Sequence, residues 1–231
     1  MDRSLKPLDV AYSGAFGADR QRVLRNTYAL LALSMVPTVL GAWLGVAMNF
    51  NLFAGSPLIG FVAFMAISFG FFYGIEKFKN SGVGVLLLLG FTFFMGLMLS
   101  RLIGAVLGFS NGVQLISLAF GGTGIVFLSM ATLAGTIKRD VSKLGQWLFM
   151  GVIVLLLAGV ANIWLQLPAL MLTISVLAVA IFSAFMLYDL KRIIDGGETN
   201  YVSATLALYL DVYNVFQSLL SILGIVGGDN D

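Results

Sequence analysis

Charged positions are bunched along this chain, and between the bunches lie five long uncharged blocks: 26–75 (50 residues), 80–100 (21), 102–137 (36), 144–188 (45) and 199–228 (30, broken only by Asp211). A helix needs about 20 apolar residues to cross a hydrocarbon core about 30 Å thick. The 50-residue block therefore holds two spans that turn near Asn49, Asn51, Gly55, Ser56 and Pro57, and the 45-residue block holds two that turn near Gln166, Leu167 and Pro168. Residues of these types interrupt helices. The 36-residue block gives one span after a glycine-rich lead, Gly104 to Gly112, and the other two blocks give one each. The pattern predicts an all-α membrane protein with seven transmembrane helices, over 27–48, 57–75, 82–100, 113–136, 145–165, 169–190 and 201–225.

The cations check this count independently, because Lys and Arg stay on the cytoplasmic side of short loops. With seven spans, Arg3, Lys6, Arg20, Arg22, Arg25, Lys77, Lys79, Lys138, Arg139, Lys143, Lys191 and Arg192 fall on one side and Arg101 alone on the other. Splitting the 36-residue block in two would destroy that alternation. The expected organisation is a flexible cytoplasmic tail over 1–25, a bundle over 26–226 and a short outer tail over 227–231. The tail has no apolar block and no cleavage site follows the first span, so the first span is expected to be a retained anchor rather than a signal peptide.

Composition sharpens the class. Of 231 residues, 59% are hydrophobic and 10% charged, with a mean hydropathy of +0.99, whereas soluble domains carry about 25% charged residues. The 13 basic and 11 acidic residues form no basic run interleaved with aromatics, which argues against a nucleic-acid partner. Neither Cys nor His is present, so thiolate nucleophiles, Cys/His metal sites and Ser-His-Asp triads are excluded. The last span carries no Lys for a retinal Schiff base. The four-residue pairs Gly41/Gly45, Gly70/Gly74 and Gly104/Gly108 suit close helix packing, and in a chain with 27 Gly they read as packing within one molecule rather than as dimerisation motifs.

Two acids stand out. Asp189 and Asp211 interrupt apolar stretches, and a charged Asp at the bilayer centre costs at least about 2.5 kcal/mol. Asn214, Ser218 and Ser221 follow Asp211 at helical steps and share its face. Such a stripe lines an internal site rather than lipid, which puts the last helix inside the others. Counted from the Gly196–Gly197 turn, the acids differ in depth by roughly 10 Å at 1.5 Å per residue, a gap that tilt narrows. If the carboxyls meet, their titrations couple and one proton is shared, giving a pH sensor without histidine. The plainer alternative is that Asp189 pairs at the interface with Lys191, Arg192 or Lys143. Glu76, Lys77 and Lys79 read as a charged, solvated helix end, from which Lys77 or Lys79 could still snorkel inward as a counter-charge; Arg101 reads as an interface anchor.

Several stretches resemble the Bax inhibitor-1 family and, within it, the bacterial YccA-type branch: Val23 to Leu33 (VLRNTYALLAL), Gly121 to Thr123 (GGT), Lys138 to Gly145 (KRDVSKLG), Val160 to Ala169 (VANIWLQLPA) and, above all, Tyr188 to Gly224 (YDLKRIIDGGETNYVSATLALYLDVYNVFQSLLSILG). The resemblance implies six helices wrapped around a central seventh, in a bacterial inner membrane with the N-terminus cytoplasmic and the C-terminus periplasmic. In relatives described as pH-sensitive calcium leaks, the acids of the YD and LYLD motifs form the sensor, which by motif are Asp189 and Asp211 here. Those relatives latch the acids with an Arg after the second helix, where this chain has Glu76, Lys77, Phe78 and Lys79. The GGETNY stretch (Gly196 to Tyr201) resembles members that modulate the FtsH membrane protease through an exposed N-terminal tail.

Three functions are thereby on the table, two of them non-enzymatic. The first is a cation leak, with calcium as permeant or as an ion bound by Asp189 and Asp211, protons as the signal and no cofactor. The second is a non-conducting modulator of FtsH. The third is an intramembrane aspartyl protease using the two acids for general acid–base chemistry, but Pro168-Ala169-Leu170 precedes both acids instead of following them, and Leu208, Tyr209 and Leu210 stand where Gly-x-Gly is expected.

Overall fold

The computed structural model describes residues 6–141 and 143–228, with side chains from residue 20 onward. Among the described residues every regular element is a helix: α1 (Lys6–Ala47), α2 (Pro57–Phe78), α3 (Gly82–Leu107), α4 (Gly112–Thr136), α5 (Leu144–Leu165), α6 (Pro168–Ile194) and α7 (Tyr201–Gly227). All seven are long and apolar enough to cross a membrane, α1 over Arg20–Ala47.

The breakers act as their chemistry dictates. Pro57 and Pro168 occupy first helical turns, where a missing N–H costs nothing. Asn49 and Gln166 both take φ 51°. At the second of these, the Asn162 carbonyl accepts from Gln166 N at 2.8 Å and its side chain from Leu167 N at 3.0 Å, which ends α5. Helices overrun the expected spans where a charge can reach out of the apolar layer: α3 passes the exposed Arg101 to end at Leu107, and α6 passes the exposed Arg192 to end at Ile194.

The backbone is helical from Lys6 onward, so most of the stretch read as a tail over 1–25 continues α1. Gln21 to Arg25 favour helix, and the adjoining span supplies the nucleus from which a helix propagates. Residues 1–5 and 229–231 lie outside the described residues, and α7 extends to Gly227, where the outer tail was expected to begin.

Glycines set the tightest crossing. A Cβ on Gly41 would run into the Phe93 carbonyl, one on Gly45 into the Ser100 side chain, and one on Gly96 into the Thr38 carbonyl. The Gly41/Gly45 pair therefore joins α1 to α3 within the chain, whereas a Cβ on Gly70 would meet no other part of the molecule within 4 Å. α7 is the most buried helix and α5 the least. α7 packs against α6, α4, α1 and α3 and more sparingly against α2, while α5 packs against α6. These contacts enclose α7 on most sides without drawing a complete ring of six.

Candidate functional site

The link between α6 and α7 positions the two acids. Gly196 takes φ 82°, a conformation glycine adopts without strain, and Gly197 N and Glu198 N both return to the Arg192 carbonyl, at 2.8 and 3.2 Å. The Glu198 carboxylate then accepts from the backbone N of Thr199 (2.9 Å) and Asn200 (2.8 Å). Asn200 caps α7 by accepting from Val202 N and Ser203 N at 2.9 and 3.1 Å, and its amide donates to Asn80 Oδ1 at 2.7 Å. A turn with this many internal bonds fixes the register of α7 against α6 and ties both to the end of α2.

In that register the carboxyls of Asp189 and Asp211 meet within hydrogen-bonding reach of each other. They come together despite the roughly 10 Å depth difference expected from residue counting. Asp211 is only 4% exposed, and its Oδ2 is buried without a hydrogen-bond donor. Asp189 is half-buried and lines a cavity of about 300 Å³ shared with Phe72, Glu76, Arg192, Glu198 and Ser203. One acid of the pair thus borders an opening between α2, α6 and α7, while the other is sealed behind it.

The cation beside the acids is Arg192, one turn along α6 from Asp189; it also pairs with Glu198 at 3.4 Å. Lys191, buried at 8% exposure, is bound to Asp195 at 2.6 Å. Neither Lys77 nor Lys79 turns onto the acids. Lys77 lies over the rings of Tyr73 and Phe78, at 5.7 and 5.6 Å, and Lys79 is ion-paired with Glu76. Glu76 also accepts from the Ser203 hydroxyl at 3.1 Å, so the end of α2 holds the start of α7 through a carboxylate read from sequence as merely solvated. The three-residue spacing of Asp189 and Arg192 was the available signal for their proximity.

The polar stripe of α7 faces protein as expected. Ser218 and Ser221 are buried, Ser221 Oγ lies 3.2 Å from Ser175 Oγ of α6, and the half-buried Asn214 donates to the Leu210 carbonyl at 2.7 Å. Sequence reading missed a second polar face on α7. Tyr209 Oη lies 2.9 Å from Thr38 Oγ1 and donates to the Thr92 carbonyl at 3.3 Å, and Tyr213 donates to the Met95 carbonyl at 3.2 Å. These bonds fasten α7 to the α1–α3 pair on the side away from the acids.

Among the described residues no group of three or more Asp, Glu, His or Cys is placed to hold a metal. What the arrangement can do is share a proton between carboxyls.

Fold and site together define a polytopic membrane protein with two neighbouring carboxyls between its last two helices, one of them buried. The family model described as "Inhibitor of apoptosis-promoting Bax1" matches residues 20–228, and the chain belongs to this family, the Bax inhibitor-1 family. It is 38% identical over 208 residues to the modulator of FtsH protease YccA of Escherichia coli K12, covering 90% of this chain and 92% of that one. Similar matches are an uncharacterized protein of Neisseria meningitidis (38% over 224 residues; 96% and 99%) and one of Pseudomonas aeruginosa (39% over 211 residues; 90% and 91%).

Proposed function

We propose that this protein is a pH-sensitive cation leak of the bacterial inner membrane, with calcium as the permeant ion and the Asp189–Asp211 pair as its gate. The observation that carries the reading is the contact of these two carboxyls between α6 and α7, with Asp211 buried and one of its oxygens undonated. With one proton shared, the pair holds the two helices together; with both carboxyls ionised, repulsion drives them apart and supplies the negative charge that attracts a cation. The charged groups facing the pair are Arg192 and Glu198 beside Asp189 and Glu76 across the cavity on α2. Flux accordingly falls as pH falls. Orientation follows the cation asymmetry, with the N-terminus cytoplasmic and the C-terminus periplasmic.

Calcium flux into proteoliposomes across a pH series tests this. The wild type is expected to show a steep pH dependence, and Asp189→Asn combined with Asp211→Asn is expected to flatten it. A wild-type dependence that survives in the double variant overturns the reading.

A second role, as a non-conducting modulator of the FtsH protease, is supported by the 38% identity to the E. coli modulator. It needs no ionisable pair, so a double Asn variant that still modulates the protease while wild-type vesicles pass no calcium favours it. Support for an intramembrane protease is weaker: catalysis needs both acids in contact with water and peptide, and Asp211 does not line the cavity.

A further inference from the structure

We propose that Glu198 is a positioning residue for the acid pair: it holds the Arg192 guanidinium to itself, and by that hold it sets the pH at which Asp189 and Asp211 give up their proton. This inference rests on the gate reading above and adds what tunes it.

One cation stands between two carboxylates. Arg192 and Glu198 line the same cavity as Asp189. The ion pair of Arg192 is with Glu198, at 3.4 Å, although Asp189 stands one turn back on its own helix and feels its charge. Among the described residues Arg192 is the one base in that lining. The nearby lysines are engaged elsewhere, Lys191 with Asp195, Lys79 with Glu76, and Lys77 over the rings of Tyr73 and Phe78. Glu198 is fixed from behind: its Oε1 accepts from the backbone N of Thr199 and Asn200, which leaves Oε2 for the guanidinium.

This hold is one that can yield. The Arg192 side chain is 44% exposed and its bond to Glu198 is long, and exposed ion pairs stabilise little. A newly ionised carboxylate one turn away competes for the same planar fork of donors. A cation beside an acid favours its ionised form, and like charge disfavours it. Arg192 turned to Glu198 therefore leaves the pair inclined to keep its proton, and Arg192 turned to Asp189 favours its release. The other groups that face Asp189 are Asp211 of α7 and Glu76 of α2. Helices α1, α4 and α5 place no charged side chain in the cavity lining, and Arg20 of α1 sits instead beside Gly196 on the turn.

Glu198→Gln and Arg192→Gln, singly and combined, test the assignment. Gln keeps an oxygen for the Thr199 and Asn200 N–H groups, and the turn's bonds to Arg192 use its carbonyl, so both substitutions leave the turn its bonds. Infrared difference spectra of the full-length protein in vesicles are recorded across pH. The carboxylic C=O band that is missing from the Asp189→Asn, Asp211→Asn double variant reports the pair. Arg192→Gln is expected to raise the midpoint of this band by roughly 1 pH unit, the low end of a guanidinium's effect on an adjacent Asp, and Glu198→Gln to lower it. In the Arg192→Gln background, Glu198→Gln is expected to lose most of its shift. A shift of the same size in both backgrounds overturns the assignment, because Glu198 then acts by its own charge alone; so does the absence of any shift from Glu198→Gln. Calcium flux through the same vesicles separates this result from the gate. Flux that follows the band while the shifts simply add leaves the gate standing without the Glu198 hold. No flux at any pH, with shifts that do not add, removes the gate and leaves the assignment. A wild type in which no such band titrates removes both.

Discussion

Asp211 and Tyr209 stand two positions apart on α7 and face opposite ways, one to α6 and the other to α1 and α3. The first is placed for a change of charge and the second for constancy. Tyr209 is almost wholly buried, at 1% exposure, with its hydroxyl shared between Thr38 and Thr92. Tyr209→Phe keeps the ring and removes the hydroxyl, and is expected to lower stability by about 0.6–1.7 kcal/mol, the range for hydrogen bonds between transmembrane helices. Unfolding in mixed micelles measures this; a loss of several kcal/mol would mean the ring itself had been displaced. The acids were legible in sequence because a carboxylate in an apolar stretch is anomalous. Tyr209 and Tyr213 were not, because a tyrosine in a membrane helix is ordinary and its hydroxyl partner, a carbonyl of another helix, leaves no mark in local sequence. Lys77 and Lys79, read as a charged helix end from which either could snorkel inward, find partners at that same end, in Tyr73, Phe78 and Glu76.

At the scale of elements, the α1–α3 crossing is the rigid part of the molecule. Backbone contact at Gly41 and Gly96 leaves no room for a methyl group, and adding one to a packed site costs about 1–3 kcal/mol. Gly96→Ala is expected to destabilise the protein by that amount, while Gly121→Ala, whose Cβ meets nothing within 4 Å, is expected to be near neutral in the same assay. Equal effects at the two sites would contradict the packing account. Span positions were readable from charge gaps and breakers because lipid imposes a minimum apolar length. Helix ends were less so: Arg101 and Arg192 bound the apolar layer, yet the helices containing them continue, since lipid makes backbone hydrogen bonds obligatory but water also permits them. The same gap between span and helix lets α1 begin at Lys6, ahead of the expected first span.

For the whole molecule, α7 is held on one flank by tyrosine hydroxyls and faces an ionisable pair on the other, enclosed by α1, α3, α4 and α6 with α2 at its margin. The interior position was implied by the polar stripe; the peripheral place of α5 was not, because an apolar helix reads the same in sequence whether one neighbour touches it or four. Everything functional in this scheme depends on Asp189 and Asp211 behaving as one titrating unit. Infrared difference spectroscopy of the carboxylic C=O stretch across pH, on the wild type and on Asp189→Asn and Asp211→Asn singly, measures that directly. Coupling predicts that replacing either acid alters the titration of the one that remains. Two independent bands, each lost with its own residue while the other titrates unchanged, would contradict it.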